Sequence, residues 1–330
     1  MSTRFVLFFQ FIFFLSACYG QYTNPVFKPC FADPTVIQAP DGYFYCYATT
    51  DNWGDGARIV PVIRSTNLVD WTYIGDAFQS KPSWIGKANI WAPDINYFKG
   101  KYYLFYAYSV WGDPNPGIGY AVSDGPFTDK GKIFDSRDIG VPNSIDPAIF
   151  IEDDRIYLVW GSFNGIYINE LSFQDQGFAI KGPKKKLAGN RFEAPYIQKN
   201  NDFYYLFLSV GSCCEGVKSS YHIVVSRSNE LMGEYSDIEG NEVNDDQKNA
   251  GSLVIRGNDQ WAGPGHQSQM ITDSNGTQWM LYHAIDKADP YFSGAYTKRP
   301  LMLDPVIWED GWPEVNGQQP SKKVSKPDFR

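Results

Sequence analysis

The sequence predicts an all-β fold, and specifically a five-bladed β-propeller. Phe, Tyr and Trp make up 17% of the 330 residues, and bulky rings favour the pleated faces of twisted sheets. A pattern of a polar residue beside a proline, a turn signal and an aromatic strand also recurs five times. A unit of about four strands that repeats roughly every fifty to seventy residues is typical of a propeller blade. No stretch shows sustained helical periodicity.

Each repeat begins with a proline motif and crosses a turn into an aromatic strand. The five motifs are Ala32-Asp33-Pro34, Trp91-Ala92-Pro93-Asp94, Ile145-Asp146-Pro147, Glu193-Ala194-Pro195 and Gly263-Pro264-Gly265-His266. The turn signals that follow them are Asp41-Gly42, Lys99-Gly100, Asp153-Asp154, Asn200-Asn201 and Asn275-Gly276. Dipeptides such as Asp-Gly and Asn-Gly tolerate the positive φ angles of hairpin turns.

The innermost strand of every blade lines the central channel, so residues that begin the repeats should meet on the axis. These residues are Asp33, Asp94, Asp146, Glu193 and His266. An isolated Asp before Pro commonly begins a turn, but recurrence at equivalent positions favours a functional role. Glu has no special turn role, so Glu193 between Phe192 and Ala194 is the stronger candidate.

Four of the five converging residues are acids. Acids in one cleft repel each other, and burial raises the pKa of one while another stays ionised. Cleavage of a glycosidic bond requires one protonated and one ionised carboxyl group. One carboxyl group protonates the leaving oxygen, while another activates water or attacks the sugar.

The five motifs, in this order, resemble those of glycoside hydrolase family 43. Members of this family are five-bladed propellers that act on arabinan and xylan in plant cell-wall polysaccharides. The resemblance covers about residues 24–316. It implies that Asp33 is the general base, Glu193 the general acid and Asp146 a third acid that orients Glu193 and raises its pKa. It also implies inversion at the anomeric carbon. Asp94 is not one of the three catalytic groups, and we expect a structural or rim position for it.

The segment Gly211–Gly216, followed by Ser219-Ser220-Tyr221, resembles the fourth blade of endo-1,5-α-L-arabinanases, although Glu215 stands where a basic residue is common. The resemblance implies hydrolysis of α-1,5-linked arabinan or arabino-oligosaccharides. Exo-α-L-arabinofuranosidases and β-xylosidases of the same fold share the three acids, so these activities stay open. A surface glycan-binding lipoprotein that has lost catalysis is a further alternative.

Several side chains near the acids are candidate substrate contacts. They are Phe31, Trp91, Trp160, Phe163 and Arg299. For each aromatic residue the alternative interpretation is a core position between blades. The resemblance further implies that His266 touches a metal ion on the propeller axis, generally calcium. Calcium prefers oxygen ligands, so a single His with waters would be a weak site, and the alternative is a hydrogen-bonded loop residue.

Residues 1–20 predict a secretory signal, with Arg4 as its positive region and the apolar segment 5–15 too short to span a membrane. Leu15-Ser16-Ala17-Cys18 resembles a bacterial lipobox, which predicts lipidation of Cys18. Plain cleavage after Gly20 is the alternative. We therefore expect an exported protein, either a lipoprotein in the periplasm or at the cell surface or a secreted enzyme, with residues 21–330 as one catalytic propeller domain.

The net charge of the chain limits the classes of molecule that it is expected to bind. The net charge of −8 and the lack of a basic stripe argue against nucleic acid. We expect a monomer whose partner is a plant cell-wall polysaccharide or oligosaccharide, with no organic cofactor and membrane contact only through the lipid.

An exported protein reaches an oxidising compartment, in which Cys30, Cys46, Cys213 and Cys214 can form disulfides. The sequence leaves their pairing open. The cysteine spacing does not suggest a structural zinc site.

Overall fold

The structure is a computed structural model that describes residues 20–84, 86–123, 127–174, 177–246, 249–293 and 296–330. Residues 1–19, which hold most of the predicted signal and Cys18, lie outside this range. Regular structure in the described residues is β-strand, apart from the helix Ser136–Ile139 and the 3-10 turn Gly216–Lys218. Among the same residues there is no helix whose length and hydropathy suit a membrane span.

Among the described residues, twenty-one strands form five antiparallel sheets, which we number as blades 1 to 5 along the chain. Blade 1 consists of Thr35–Gln38, Phe44–Tyr47, Pro61–Ser65 and Thr72–Asp76. Blade 2 consists of Asn89–Phe98, Lys101–Ser109, Gly117–Ser123 and Phe127–Asp135. Blade 3 consists of Ala148–Glu152, Arg155–Trp160, Ile166–Gln174 and Gly177–Ala188. Blade 4 consists of Phe192–Asn200, Phe203–Val210, His222–Ser228 and Ser252–Ile255.

Blade 5 consists of Trp261–Gly265, Gln278–Asp286, Leu301–Glu309 and Trp312–Val315, and the short strand Ile271–Thr272 also pairs with its second strand. Two further pairs lie outside the blades. They are Asp51–Asn52 with Ala57–Arg58 and Gln21–Thr23 with Lys323–Ser325. The prediction of a five-bladed propeller is therefore confirmed.

In most blades, the turn between the first two strands lies at the dipeptide that the sequence predicts. Lys99 and Gly100 have φ angles of 47° and 81°, and Asp153 and Asp154 have 50° and 62°, as two-residue hairpin turns with positive φ require. Blade 4 differs by one position. Asn200 is the last residue of its strand, and the turn begins at Asn201, whose φ is 52°.

Five apolar clusters fill the five spaces between neighbouring blades. The cluster of blades 3 and 4, for example, joins Val159 to Leu206, and the cluster of blades 5 and 1 joins Leu303 to Val36. The aromatic content therefore serves the packing of one sheet on the next. Because the fifth cluster joins the last blade to the first, the ring of blades closes.

Hydrogen bonds from the N-terminal segment strengthen this closure. The Asn24 side-chain amide donates to the carbonyl oxygens of Leu303 and Ser321 at 2.9 and 3.0 Å, and it also contacts the Asp304 carboxylate at 3.2 Å. Its oxygen accepts the Leu303 N–H at 3.0 Å. One buried side chain thus ties the start of the propeller to blade 5 and to the segment that follows it.

One residue in or near the first strand of each blade has a left-handed backbone angle. The φ values are 54° for Asp33, 44° for Ala92, 57° for Asp146, 49° for Ala194 and 50° for His266. The first four precede a proline, which disfavours the right-handed helical region for the preceding residue. Such angles are uncommon for residues other than glycine and persist where the surrounding structure holds them.

The cysteines fall into two groups. Cys213 and Cys214 form a disulfide between adjacent residues, in the loop before the third strand of blade 4. Cys30 and Cys46 are buried free thiols. The disulfide pairing that the sequence left open therefore joins two neighbouring cysteines within one loop.

Candidate active site

Asp33 lies at the start of blade 1, buried beside the channel. Its Oδ1 is 3.1 Å from Nη1 of Arg299, and its Oδ2 accepts a hydrogen bond of 2.5 Å from the Thr49 hydroxyl. Burial opposes ionisation, but the charge of Arg299 and the bond from Thr49 hold the pKa of Asp33 well below its usual range. Asp33 is therefore a carboxylate at neutral pH.

Glu193 lies in the first strand of blade 4 and is equally buried. Its Oε2 accepts a hydrogen bond of 2.9 Å from the Ser162 hydroxyl. Burial raises the pKa of Glu193 to about 7, hydrogen bonds from Tyr221 and Ser162 oppose this rise, and the charge of Asp33 adds to it. Glu193 therefore holds a proton at a pH at which Asp33 is ionised.

Asp146 lies between the two, at the start of blade 3. Its Oδ2 accepts the backbone N–H of Ala194 at 3.0 Å. Burial raises the pKa of Asp146 well above its usual value, and the charges of Glu193 and Asp33 add to the rise. Because Ala194 follows Glu193 directly, this bond fixes the backbone that carries Glu193.

Asp94 connects the first strands of three blades. Its carboxylate accepts the Ile149 N–H at 2.7 Å, the Asn96 side-chain amide at 2.7 Å and the Thr35 hydroxyl at 3.3 Å. Burial raises the pKa of Asp94 to about 7. These partners belong to blades 1, 2 and 3, so Asp94 links the blades and is not placed as a reacting group.

Phe31 and Trp160 do not line the channel, which corrects their prediction as substrate contacts. Phe31 is 1% exposed and packs edge-on against Phe27 at 5.5 Å between ring centroids. Trp160 has no exposed surface, stacks on Tyr167 at 5.1 Å and donates its ring N–H to Asn169 at 3.0 Å. Both are core residues between blades, so neither can stack on a sugar.

The other candidate substrate contacts keep accessible surface or reach a catalytic group. Trp91 is partly exposed in the first strand of blade 2, directly before Ala92. Phe163 is 43% exposed, and its N–H donates to the carbonyl oxygen of Phe192 at 2.9 Å, next to Glu193. Arg299 is committed to Asp33 by the ion pair described above.

Sequence reasoning gave no role to four residues that contact the acids: Thr49, Ser162, Tyr221 and His283. A signal for three of them exists in the repeat, because a hydroxyl residue or a His ends or follows the aromatic second strand. Such residues are Thr49 after the second strand of blade 1, Ser162 after that of blade 3, Ser209 within that of blade 4 and His283 within that of blade 5. Tyr221 belongs to the motif after the disulfide loop and carries no comparable signal.

The expected calcium ion at His266 finds few protein ligands. Calcium takes six to eight oxygen ligands. In the ranges that the structure describes, no group of three or more His, Cys, Asp or Glu side chains is arranged to hold a metal. Nδ1 of His266 lies 3.4 Å from Asp33, which already binds Arg299. The residues present do not fit a calcium site built from protein groups, so the chemistry below uses no metal.

The family model for glycosyl hydrolases family 43 matches residues 22–313. The chain belongs to this family. As a family 43 member with these acids it is a glycoside hydrolase, an enzyme that acts on glycosyl bonds. The family resemblance inferred from the motifs is thereby confirmed.

Relatives in family 43 match nearly the whole chain. An extracellular exo-α-(1→5)-L-arabinofuranosidase of Cellvibrio japonicus is 32% identical over 89% of this chain and 88% of its own. An extracellular endo-α-(1→5)-L-arabinanase of Bacillus subtilis is 32% identical over 85% and 86%. The solved α-L-arabinanase of Cellvibrio cellulosa, in complex with arabinohexaose, has a TM-score of 0.74 at 29% identity and covers 88% of this chain and 96% of that one.

Proposed function

We propose that this protein hydrolyses α-1,5-linked arabinan or arabino-oligosaccharides by a single displacement with inversion. The observation that carries the proposal is the different setting of two buried carboxyl groups: Asp33 pairs with the Arg299 guanidinium at 3.1 Å, whereas Glu193 accepts a hydrogen bond of 2.9 Å from the neutral Ser162 hydroxyl. The pKa of Asp33 is accordingly lowered, and burial raises that of Glu193 to about 7. The arabinan-degrading relatives support the substrate class.

Each acid has one task in this reaction. The Asp33 carboxylate accepts a proton from a water molecule as the water oxygen bonds to the anomeric carbon. Glu193 gives its proton to the glycosidic oxygen as the bond from that oxygen to the anomeric carbon breaks. Asp146 holds the Glu193 backbone through Ala194 and contributes to the raised pKa of the acid. The products are two sugars with free hydroxyl groups, and the two carboxyls exchange protons with solvent before the next turnover.

The test compares wild-type protein with Glu193→Gln on linear arabinan, arabino-oligosaccharides and aryl pentosides. Glu193→Gln cannot donate the proton, so we expect its kcat on arabinan to fall by about 10²–10⁴-fold. Glu309→Gln is the matched control, because Glu309 is exposed in blade 5, and it should keep wild-type activity. Release of no sugar by wild type from any pentose substrate would overturn the proposal.

Endo and exo action are the two forms of this proposal, since relatives named for each are equally identical to the chain. The products from linear arabinan distinguish them: a ladder of oligomers indicates endo action, and monomer alone indicates exo action. The non-catalytic glycan-binding alternative requires that wild type bind arabinan without any turnover. Activity on aryl β-xylosides instead of arabinan would favour the β-xylosidase alternative.

We propose export as the location, which the extracellular relatives and the signal-like residues 1–20 support. A lipid anchor at Cys18 is part of this proposal. Labelled fatty acid should enter wild type and not Cys18→Ser, and equal labelling would contradict the anchor. The calcium ion at His266 remains a prediction, which loss of activity on chelation and its recovery with calcium would support.

A further inference from the structure

The Ser162 hydroxyl is a buried group between the general acid and an asparagine side chain. Ser162 is 1% exposed, and its hydroxyl donates to Oε2 of Glu193 at 2.9 Å. On its other side, the side-chain amide of Asn143 donates to the Ser162 hydroxyl oxygen at 3.0 Å. The side chains of Asn143, Ser162 and Glu193 therefore form one hydrogen-bonded chain that ends at the acid.

The direction of both hydrogen bonds follows from a third contact. The Asn143 amide also donates to the backbone carbonyl oxygen of Ser162 at 3.2 Å. A carbonyl oxygen can only accept, so the NH2 group of Asn143, and not its oxygen, faces Ser162. Because an NH2 group of this kind donates, the Ser162 hydroxyl oxygen is the acceptor of the bond from Asn143. The single hydroxyl proton of Ser162 then remains for Oε2 of Glu193.

The backbone on either side holds this chain in place. Asn143 has a φ angle of 52°, which Asn adopts more readily than most residues, and its N–H donates to the carbonyl oxygen of Pro114 at 3.1 Å. Directly after Ser162, the N–H of Phe163 donates to the carbonyl oxygen of Phe192 at 2.9 Å. Phe192 is the residue before the acid, so the hydroxyl and the acid are tied together by backbone as well as by side chain.

The segment that leads into blade 3 acts on the acid at two points. Asp146 accepts the N–H of Ala194 and so fixes the backbone that carries Glu193. Asn143, three residues earlier, acts on the carboxyl group of Glu193 through Ser162. One stretch of chain therefore holds both the backbone and the carboxyl group of the acid.

We propose that Asn143 is a positioning residue for the general acid, because it directs the Ser162 hydroxyl to Oε2 of Glu193 and leaves the acidic proton on Oε1. This inference rests on the proposed function. In a protonated carboxyl group, one oxygen carries the proton and the other keeps its full capacity to accept. When Glu193 acts, the bond between Oε1 and its proton breaks, and the proton bonds to the glycosidic oxygen. The electron pair of the bond to the anomeric carbon moves onto that oxygen, and Oε2 keeps its bond from Ser162.

Loss of the Ser162 hydroxyl should raise the pKa of Glu193. A donor to a carboxylate stabilises its ionised form, so its removal favours the protonated form. The charged and titratable groups that act on this carboxyl group are Asp33, Asp146, Arg299 and Tyr221. Ser162→Ala leaves all four in place. The protonated, active form of Glu193 should then persist to higher pH.

The experiment measures kcat/KM against pH on arabino-oligosaccharide for wild type, Ser162→Ala, Asn143→Gly and the double variant. Glycine accepts the φ angle of Asn143, so Asn143→Gly removes the donor without backbone strain. We expect the alkaline limb to move up by about one pH unit in Ser162→Ala and by less in Asn143→Gly. An alkaline limb of Asn143→Gly that matches wild type would overturn the proposal.

The double variant tests whether Asn143 acts through Ser162. Ser162→Ala already deletes the hydroxyl that Asn143 orients, so Asn143→Gly should add no further loss to it. We expect kcat to fall about tenfold in Ser162→Ala, about threefold in Asn143→Gly and about tenfold, rather than about thirtyfold, in the double variant. Losses that multiply would mean that Asn143 acts independently of Ser162, which would overturn the proposal.

Asn201→Gly and Ser226→Ala are the matched controls. Asn201 has the same φ angle of 52°, in an exposed turn of blade 4. Ser226 is fully buried, and its hydroxyl has no hydrogen-bond partner within the described ranges. Both controls should keep the wild-type pH profile and kcat. A control that shifts as much as its matched variant would overturn the proposal.

Asn143→Asp gives a further variant should Asn143→Gly fold poorly. The new carboxylate can only accept, so the Ser162 hydroxyl would donate to it instead of to Glu193. The acid would lose its donor and gain a negative neighbour, and both changes raise its pKa. We expect the alkaline limb to move up at least as far as in Ser162→Ala, and an unshifted limb would overturn the proposal.

A second substrate varies the leaving group, because an aryl group with a low pKa needs little help from an acid. Ser162→Ala should lose much less kcat on an oligosaccharide with such an aryl leaving group than on natural arabino-oligosaccharide. Equal losses on both substrates would indicate a merely structural role and overturn the proposal. Wild type without activity on either substrate would overturn the proposed function, and this inference with it.

Discussion

The pKa values of two carboxyl groups in one channel are shifted in opposite directions because the nearest partners of the two groups differ. Asp33 contacts the Arg299 guanidinium at 3.1 Å and the Thr49 hydroxyl, both of which favour its charged form. Glu193 has hydrogen bonds from neutral hydroxyls, but burial outweighs them and raises its pKa to about 7. At the scale of single residues, one cation therefore decides which acid becomes the base.

Replacement of Arg299 by Met tests this assignment. An adjacent Arg lowers the pKa of an Asp by about 1–3 units, so Arg299→Met should raise the pKa of Asp33 by that amount. Asp33 must be ionised to accept a proton, so the acidic limb of kcat/KM should move to higher pH.

The control for this substitution is Arg155→Met, which removes an exposed arginine paired with Glu170. It should leave the acidic limb where wild type has it. An acidic limb of Arg299→Met that coincides with wild type would show that Arg299 does not set the ionisation of Asp33.

At the scale of elements, a residue in or near the first strand of four blades donates its backbone N–H to a neighbouring blade. Ala92 donates to Thr49, His266 to Ser209 and Asp33 to His283. At the start of blade 4 the acceptor for Ala194 is Asp146 itself. The left-handed angle before proline thus serves both the joint between blades and the placement of the acids.

Gly265→Ala should disturb the active site through packing alone. The added Cβ would lie 2.1 Å from the Tyr221 ring, so the ring must move or the strand must shift. Overpacking of this kind costs about 1–3 kcal/mol in the free energy of unfolding, which chemical denaturation measures. We also expect kcat on arabinan to fall, since the Tyr221 ring stacks on His283, which accepts the N–H of Asp33.

Gly177→Ala is the matched control for this strand position. Its Cβ would meet the Tyr120 hydroxyl at 3.5 Å, an ordinary contact. Both stability and kcat should stay close to wild type. Equal losses in the two variants would mean that loss of glycine, not collision with Tyr221, causes the effect.

At the scale of the whole molecule, the five blades form one ring. The joint between blade 5 and blade 1 depends on segments that precede the first blade and follow the last one. Gln21–Thr23 pairs with Lys323–Ser325, and Asn24 bonds to the third strand of blade 5. Asp33 lies on the blade 1 side of this joint, and Arg299 and His283 lie on the blade 5 side. The geometry of the base therefore depends on closure of the ring.

Asn24→Ala should loosen the joint. It leaves the buried Leu303 N–H and the Ser321 carbonyl oxygen without the side-chain partner described above, whereas the Leu303 carbonyl oxygen keeps the Tyr22 hydroxyl at 2.6 Å. Each unsatisfied group costs about 1–3 kcal/mol. We expect a lower Tm in calorimetry and a loss of activity that follows the loss of folded protein. Asn229→Ala, at an exposed asparagine, is the control and should melt like wild type. A wild-type Tm in Asn24→Ala would contradict the role of this joint.

The sequence by itself determined the propeller and the number of its blades. Each proline motif, turn signal and aromatic strand acts locally, and the repetition of the unit brings distant residues such as Asp33 and Glu193 to one axis. The same logic singled out Asp146. Only the turn of blade 4 shifted, by one residue, because several polar residues there can occupy the corner.

Only the tertiary structure decided which side chains face the channel and which fill the core. Phe31 and Trp160 occupy sequence positions like those of channel residues, yet the neighbouring blade covers them completely. The contacts that divide acid from base also span long stretches of chain: Arg299 reaches Asp33 across 266 residues and His283 reaches it across 250. Burial and charge act through space, so no local pattern could specify them.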